Sequence, residues 1–120
     1  MAGFSTDGGT DGQDAADRYH RVLSTIEANT GDPQLPGCRR RTVRQVLVPY
    51  RKYSSSDIDS SIKQASKNGD IIVWEDRDGA TRFTRTLEDD LRELIAWEKE
   101  TEDPTQELID LAESHLGKQR

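Results

Sequence analysis

The chain has one cysteine, two histidines and no apolar run approaching the length of a membrane span. Each shortage removes a class of function. A lone Cys38 excludes an internal disulfide, and Cys38, His20 and His115 are too dispersed to form a zinc-ligand cluster, so neither a metal nor another cofactor is expected. No membrane partner is expected either, because a spanning helix needs about 20 predominantly apolar residues in a row. The opening Met1-Ala2-Gly3-Phe4-Ser5 lacks the basic and apolar regions of a signal peptide, which makes a cytoplasmic location the expectation. Also missing are a glycine-rich phosphate loop with its lysine, a Gly-x-Ser-x-Gly, a helical histidine pair and a Cys-x-x-Cys. Carboxylates are abundant but stand in surface runs such as Glu88-Asp89-Asp90, not in an apolar pocket that would tune a pKa, so the chain is not expected to be an enzyme. With 32% hydrophobic residues in 120, there is material for one modest core.

What is present is unevenly distributed charge. The whole chain is acidic, at net −6, yet residues 17 to 86 hold thirteen Lys/Arg against nine Asp/Glu, net +4. Residues 1 to 16 are net −3 and residues 87 to 120 net −7. A basic module between acidic flanks points to a nucleic-acid face on a body kept soluble by its ends. Arginine outnumbers lysine twelve to five while acids exceed bases, a balance similar to that of proteins from salt-loving archaea.

Along the chain, residues 1 to 13 are polar and glycine-rich and are expected to be a disordered leader. Asp14 to Asn29 predicts a first helix, with Tyr19, Val22, Leu23 and Ile26 on one stripe and Asn29-Thr30-Gly31 as its stop. Two prolines and a glycine make Asp32 to Gly37 a loop. Arg39-Arg40-Arg41 is either a short edge strand or the lead into the next helix. Thr42 to Val48 predicts a second helix, capped by Thr42, buried through Val43, Val46 and Leu47, and closed by Pro49. Cys38, beside the three arginines, reads as an inert small residue, with a pKa-lowered redox sensor as the sharper alternative.

The segment from Ser54 to Arg85 carries the most information. Ile58, Ile62 and Ala65 fall at helical spacing and predict a third helix over about 56–68, with Ser56 as N-cap, Asp59 at the reciprocal capping position, and Asn68-Gly69 as its stop. Ile71 to Glu75 reads as a strand, Asp76-Arg77-Asp78-Gly79 as a turn, and Ala80 to Arg85 as the returning strand. Tyr50, Tyr53, Trp74 and Phe83 read as packing residues, and Trp74, alternating to the face opposite Val73, is expected beneath the C-terminal helices. Thr86 with Glu88, Asp89 and Asp90 opens a fourth helix with Leu87, Leu91, Leu94 and Ile95 on its stripe. Asp103-Pro104-Thr105-Gln106 opens a fifth, running to about Leu116 with Leu108, Leu111, Ala112 and His115 or Leu116 inward and Gly117 at its end.

Helix, helix, helix, glycine, two-stranded wing and closing threonine: over residues 14 to 86 the pattern resembles the winged helix-turn-helix family of prokaryotic and archaeal transcription regulators. The acidic, arginine-biased composition is similar to small haloarchaeal members, including repressor-like proteins of viruses and plasmids. The resemblance implies an α+β, mostly helical fold: three helices plus a two- or three-stranded wing, with two additional C-terminal helices. It also implies sequence-specific binding of double-stranded DNA, the third helix in the major groove and the wing, about 71–85, on the backbone or minor groove. Carried over residue by residue, Ser55, Ser56, Ser60, Lys63, Gln64 and Lys67 form the reading face. Arg77 and Arg82 on the wing reach phosphate or minor groove, and Arg44, Arg51 and Lys52 clamp the backbone. Asp59, Asp76 and Asp78 depart from such a face, since carboxylates repel phosphate.

Residues 87 to 120 form an acidic helical segment. Its stripe residues Leu91, Leu94, Ile95, Trp97, Leu108 and Leu111 either supply a homodimer interface, as a palindromic operator calls for, or pack back on the wing. The dimer is the reading followed. Two alternatives stand beside DNA regulation: a winged-helix protein-interaction module without DNA binding, and an acidic segment that masks the basic face.

Overall fold

The computed structural model describes residues 3–31, 35–51 and 53–118; for residues 3–14, Tyr50 and Arg51 it describes the backbone only. The described chain is α+β and mostly helical: α1 (Gly3–Ala28), β1 (Cys38–Arg39), α2 (Arg40–Arg51), α3 (Ser55–Asn68), β2 (Ile71–Glu75), β3 (Thr81–Arg85), α4 (Glu88–Lys99) and α5 (Gln106–Lys118). The strands form one antiparallel sheet in the order β1-β3-β2. The register sets Cys38 opposite Phe83, Val73 opposite Phe83 and Trp74 opposite Arg82.

Strand alternation gives the sheet two buried faces. Ile71 and Phe83 join a first core with Val22 and Ile26 of α1, Val43 and Leu47 of α2, and Ile58 and Ile62 of α3. Ile72 and Trp74, the intervening positions on β2, join a second core with Leu91 and Leu94 of α4 and Leu108, Ala112 and Leu116 of α5. A period of two with both faces covered is what a central layer requires. Trp74 thus lies under the C-terminal helices, as its alternation with Val73 implies, and Phe83 and the half-buried Tyr53 pack in the first core.

Local chemistry sets most boundaries. α3 starts at a capping box built by Ser54 and Asp57, not Ser56 and Asp59: the Asp57 amide donates to Ser54 Oγ at 3.0 Å, and the Ser54 amide donates to Asp57 Oδ2 at 3.3 Å. Both pairs have the same spacing, and the earlier one gains a second partner because Arg18 of α1 lies 3.7 Å from Asp57. Gly69 at φ 80° ends α3 in the left-handed conformation expected of it, and the Asp70 amide donates back to the Ala65 carbonyl.

Elsewhere the boundaries shift. α1 begins at Gly3 where a leader was expected. β1 and α2 divide the arginine run between them, so α2 starts two residues before Thr42, which lies inside the helix and does not cap it. Pro49 also lies inside α2, two residues from its end, where its missing donor removes a single ladder bond. Val46 is turned outward, 39% exposed. Thr86 does not cap α4: its hydroxyl donates to the Gly69 carbonyl, and Leu87 is the N-cap residue. α5 starts at Gln106 because buried Glu98 of α4 accepts the Thr105 amide at 2.7 Å, and it continues through Gly117. Its inward face is Leu108, Ile109, Ala112 and Leu116, leaving Leu111 44% exposed.

Candidate nucleic-acid interface

α3 is anchored by Ile58, Ser61, Ile62 and Ala65, all buried, and this fixes what faces out. Ser55, Ser56, Ser60, Lys63, Gln64 and Lys67 are all exposed. Residues 56, 60, 63 and 67 follow helical spacing and form one stripe. Ser61 is held inward by Arg18, whose Nε donates to its Oγ at 2.8 Å. No ion pair or hydrogen bond among the described residues engages the Lys63 or Lys67 ammonium. Gln64 is tethered: its Nε2 donates to Asn68 Oδ1, Asn68 Nδ2 donates to the Tyr19 hydroxyl, and that hydroxyl donates to Asp70 Oδ2. Burial and the bond to Asp70 push the Tyr19 hydroxyl pKa up, so it stays protonated and the chain from α1 to the outer face of α3 stays intact.

The arginines expected on the wing are placed otherwise. Arg82 is 6% exposed, on the sheet face turned to α4 and α5. Its Nε donates to Asp76 Oδ2 and its Nη1 to the Gly37 carbonyl, both at 2.6 Å, so it reaches no phosphate. The register across three strands, not any local pattern, turns it inward. Arg77 stays at the turn, exposed, with Nη2 donating to the Asp103 carbonyl at 3.1 Å in the α4–α5 connection. Asp76 is spent on Arg82, while Glu75 and Asp78 remain exposed. Without Arg82 the tip of the hairpin carries more acid than base.

Beside α3, Arg44 of α2 is 2.7 Å from Asp59. The Arg51 side chain and Lys52 lie outside the described residues. The remaining acids of this half are partly consumed: Asp57 by the cap and Arg18, Asp70 by Tyr19, and Glu27 by Arg85 at 3.2 Å. The cap hydrogen bonds from Ser54 hold the Asp57 carboxyl below its usual range.

Read from the sequence, Arg39, Arg40 and Arg41 are a short edge strand or the lead into a helix, beside Cys38, and have no place among the expected DNA contacts. All three are exposed where β1 passes into α2, and the Arg40 guanidinium sits over the Phe83 ring, 5.8 Å from its centroid. The signal was the uninterrupted run itself. With Lys63, Lys67 and Arg77, whose one bond is to a backbone carbonyl, they are the cations of residues 17 to 86 without an ionic partner among the described residues. Cys38 behind them is 1% exposed, and burial pushes its thiol up to about 12 against the pull of Arg82, which makes it the inert residue and not the sensor.

The stripe expected to join two copies is largely used within the chain. Leu91 and Leu94 are fully buried and Leu108 nearly so, against Ile72 and Trp74, because the hairpin offers α4 and α5 an apolar face to cover. Trp97 packs on Trp74 with ring centroids 5.6 Å apart, Ile95 is half-buried, and only Leu111 of the set is exposed. The groove of about 540 Å³ between α4 and α5 is flanked by Arg92 and Lys99, each already facing a carboxylate, Glu88 and Glu113. Among the described residues no three His, Cys, Asp or Glu side chains gather to hold a metal, and no helix is long and apolar enough to cross a membrane.

No family model, curated protein or solved structure matches the chain.

Proposed function

We propose that this chain is a winged helix-turn-helix protein that binds double-stranded DNA and regulates transcription, with α3 as the reading helix in the major groove. The observation that carries the reading is the outer face of α3: short polar side chains and two lysines unpaired among the described residues, on a helix anchored by a continuous apolar face. The order helix, strand, helix, helix, strand, strand and the sheet order β1-β3-β2 support it. Serine and Gln64 suit base edges, and Lys63 suits guanine or phosphate.

Part of the backbone contact belongs to residues other than those the family resemblance implied. Arg39, Arg40 and Arg41, exposed at the start of α2, take the positioning role that buried Arg82 and tethered Arg77 do not. The hairpin serves mainly to support α3 and to seat α4 and α5.

Titration of a fluorescent duplex pool across a salt series tests this. Saturable binding is expected, with log K falling by about 0.9 per decade of salt for each phosphate neutralised. Lys63→Glu with Lys67→Glu is expected to abolish binding while leaving the circular dichroism melt unchanged. Absence of binding by the folded wild type would refute the reading. It would favour an interaction module, for which the acid-rich hairpin tip speaks.

A further inference from the structure

Arg44 and Asp59 form an incomplete ion pair at the edge of the α3 face. Arg44 Nη2 meets Asp59 Oδ2 at 2.7 Å, yet Arg44 Nε and Asp59 Oδ1 are both shielded from water and have no hydrogen-bond partner among the described residues. An arginine fork satisfied by a carboxylate uses two parallel bonds; here one is made and the second donor and second acceptor are left idle. The side chains as wholes are still 38% and 43% exposed, so neither is locked in the core. Asp59 is also the one carboxylate of α3 outside the cap, since Asp57 is committed to Ser54. Lys63 stands one turn further along the helix, at a spacing that favours a pair with Asp59, but the carboxylate is bonded to Arg44.

From this arrangement we infer that Asp59 is an internal counterion that competes with a phosphodiester for Arg44. In the free protein the carboxylate occupies the guanidinium through a single bond. On a duplex, Arg44 exchanges that bond for a phosphate oxygen pair, which its Nε and Nη2 accommodate together. Asp59 therefore sets an affinity ceiling and suppresses indiscriminate backbone binding, because every productive complex must first break the pair. The inference rests on the DNA-binding reading above and names a control element of the same site.

The test is a double-mutant cycle on the full chain, with a duplex as probe and the salt series as readout. Asp59→Asn is expected to tighten binding at low salt by about three- to fivefold, the scale on which an exposed ion pair acts. Arg44→Gln is expected to weaken binding and lower the salt slope by about 0.9, one phosphate contact. In the Arg44→Gln background, Asp59→Asn should then have no effect. Weaker binding by Asp59→Asn overturns the inference, since Asp59 would be positioning Arg44 for phosphate. So does an undiminished gain in the Arg44→Gln background, which would reflect only the loss of a negative charge. An unchanged affinity for Asp59→Asn in a protein that binds duplex defeats the inference alone, whereas no wild-type binding at any salt defeats the DNA reading as well. Asp59→Ser, read the same way, replaces Asp59→Asn if the amide perturbs the circular dichroism melt.

Discussion

Arg82 and Asp76 form an ion pair at 2.6 Å in which both side chains are withdrawn from solvent, 8% and 4% exposed. Around it further hydrogen bonds form: Arg82 Nη1 donates to the Gly37 carbonyl, and Asp76 Oδ1 accepts from the Asp78 and Ala80 amides. The pair thereby joins β3, the hairpin turn and the loop before β1.

Removing one member leaves the other buried and uncompensated, so Arg82→Ala is expected to lose about 3–5 kcal/mol of stability, read from urea denaturation at neutral pH. Acid should act on the same pair. Burial by itself raises the Asp76 pKa, but the bonds from Arg82, Ala80 and Asp78 outweigh it and hold the carboxyl below its usual value. A depressed carboxylate contributes stability that is complete above its unfolded pKa, about 3.9, and is lost as pH falls through the lower folded value. Wild type should therefore lose stability below about pH 4 more steeply than Asp76→Asn with Arg82→Met, which has no such pair to protonate.

Gly37 stands against an indole. A Cβ added there would lie 2.7 Å from Trp74 Cζ2 and 3.0 Å from Thr84 Oγ1, and Thr84 is itself held by the Trp74 Nε1 donor and the Pro36 carbonyl. Gly37→Ala is expected to cost about 1–3 kcal/mol by overpacking, seen as a lower urea midpoint at unchanged slope.

Asp90 has the opposite pH signature. Burial first, then the charges of Glu27, Glu93 and Asp89, push its carboxyl up against the pull of Arg85, and its Oδ2 is shielded without a hydrogen-bond partner among the described residues. A carboxyl titrating higher in the folded than in the unfolded state destabilises the fold above its folded pKa, and the penalty fades as pH falls toward the unfolded value, about 3.9. Asp90→Asn should melt at a higher temperature than wild type at pH 7, with the advantage gone at pH 3.

Leu94 and Leu111 separate covering the sheet from joining two copies. Leu94→Ala is expected to cost about 2–5 kcal/mol, since the side chain is fully buried. Leu111→Ala should change stability by less than about 0.5 kcal/mol, as an exposed site does.

These contrasts show where the sequence was legible. The glycine at 69, the strand Ile71–Glu75 and the Asp-Gly turn were readable because each depends on neighbours a few residues away. The face of α3 followed from Ile58, Ile62 and Ala65 alone. Arg82 was not readable: its partner carbonyl is on Gly37, 45 residues earlier, and only the three-strand register brings them together. Leu111 and Ile109 exchanged roles because two adjacent stripes of α5 are both apolar, and the position of α4 chooses between them. The first helical residue of α3 was ambiguous for the reason that Ser54 and Ser56 each have an aspartate three residues on; Arg18, far away in the chain, sides with the first.

The sheet that separates the two cores also concentrates the chain's indoles. Both tryptophans, Trp74 and Trp97, meet on its α4–α5 side, tilted 51° to one another, while the first core contains none. Tryptophan emission, excited beyond the tyrosine absorption, is thus a gauge of one seam: it reports the C-terminal pair lifting from the hairpin and not α1, α2 or α3, in and between which the tyrosines lie. Superimposed fluorescence and circular dichroism transitions would mean that both halves melt as one cooperative body. An emission change ahead of the helical signal would mean that α4 and α5 peel away first, baring Ile72 and Trp74 to water while the lysines of α3 keep their setting.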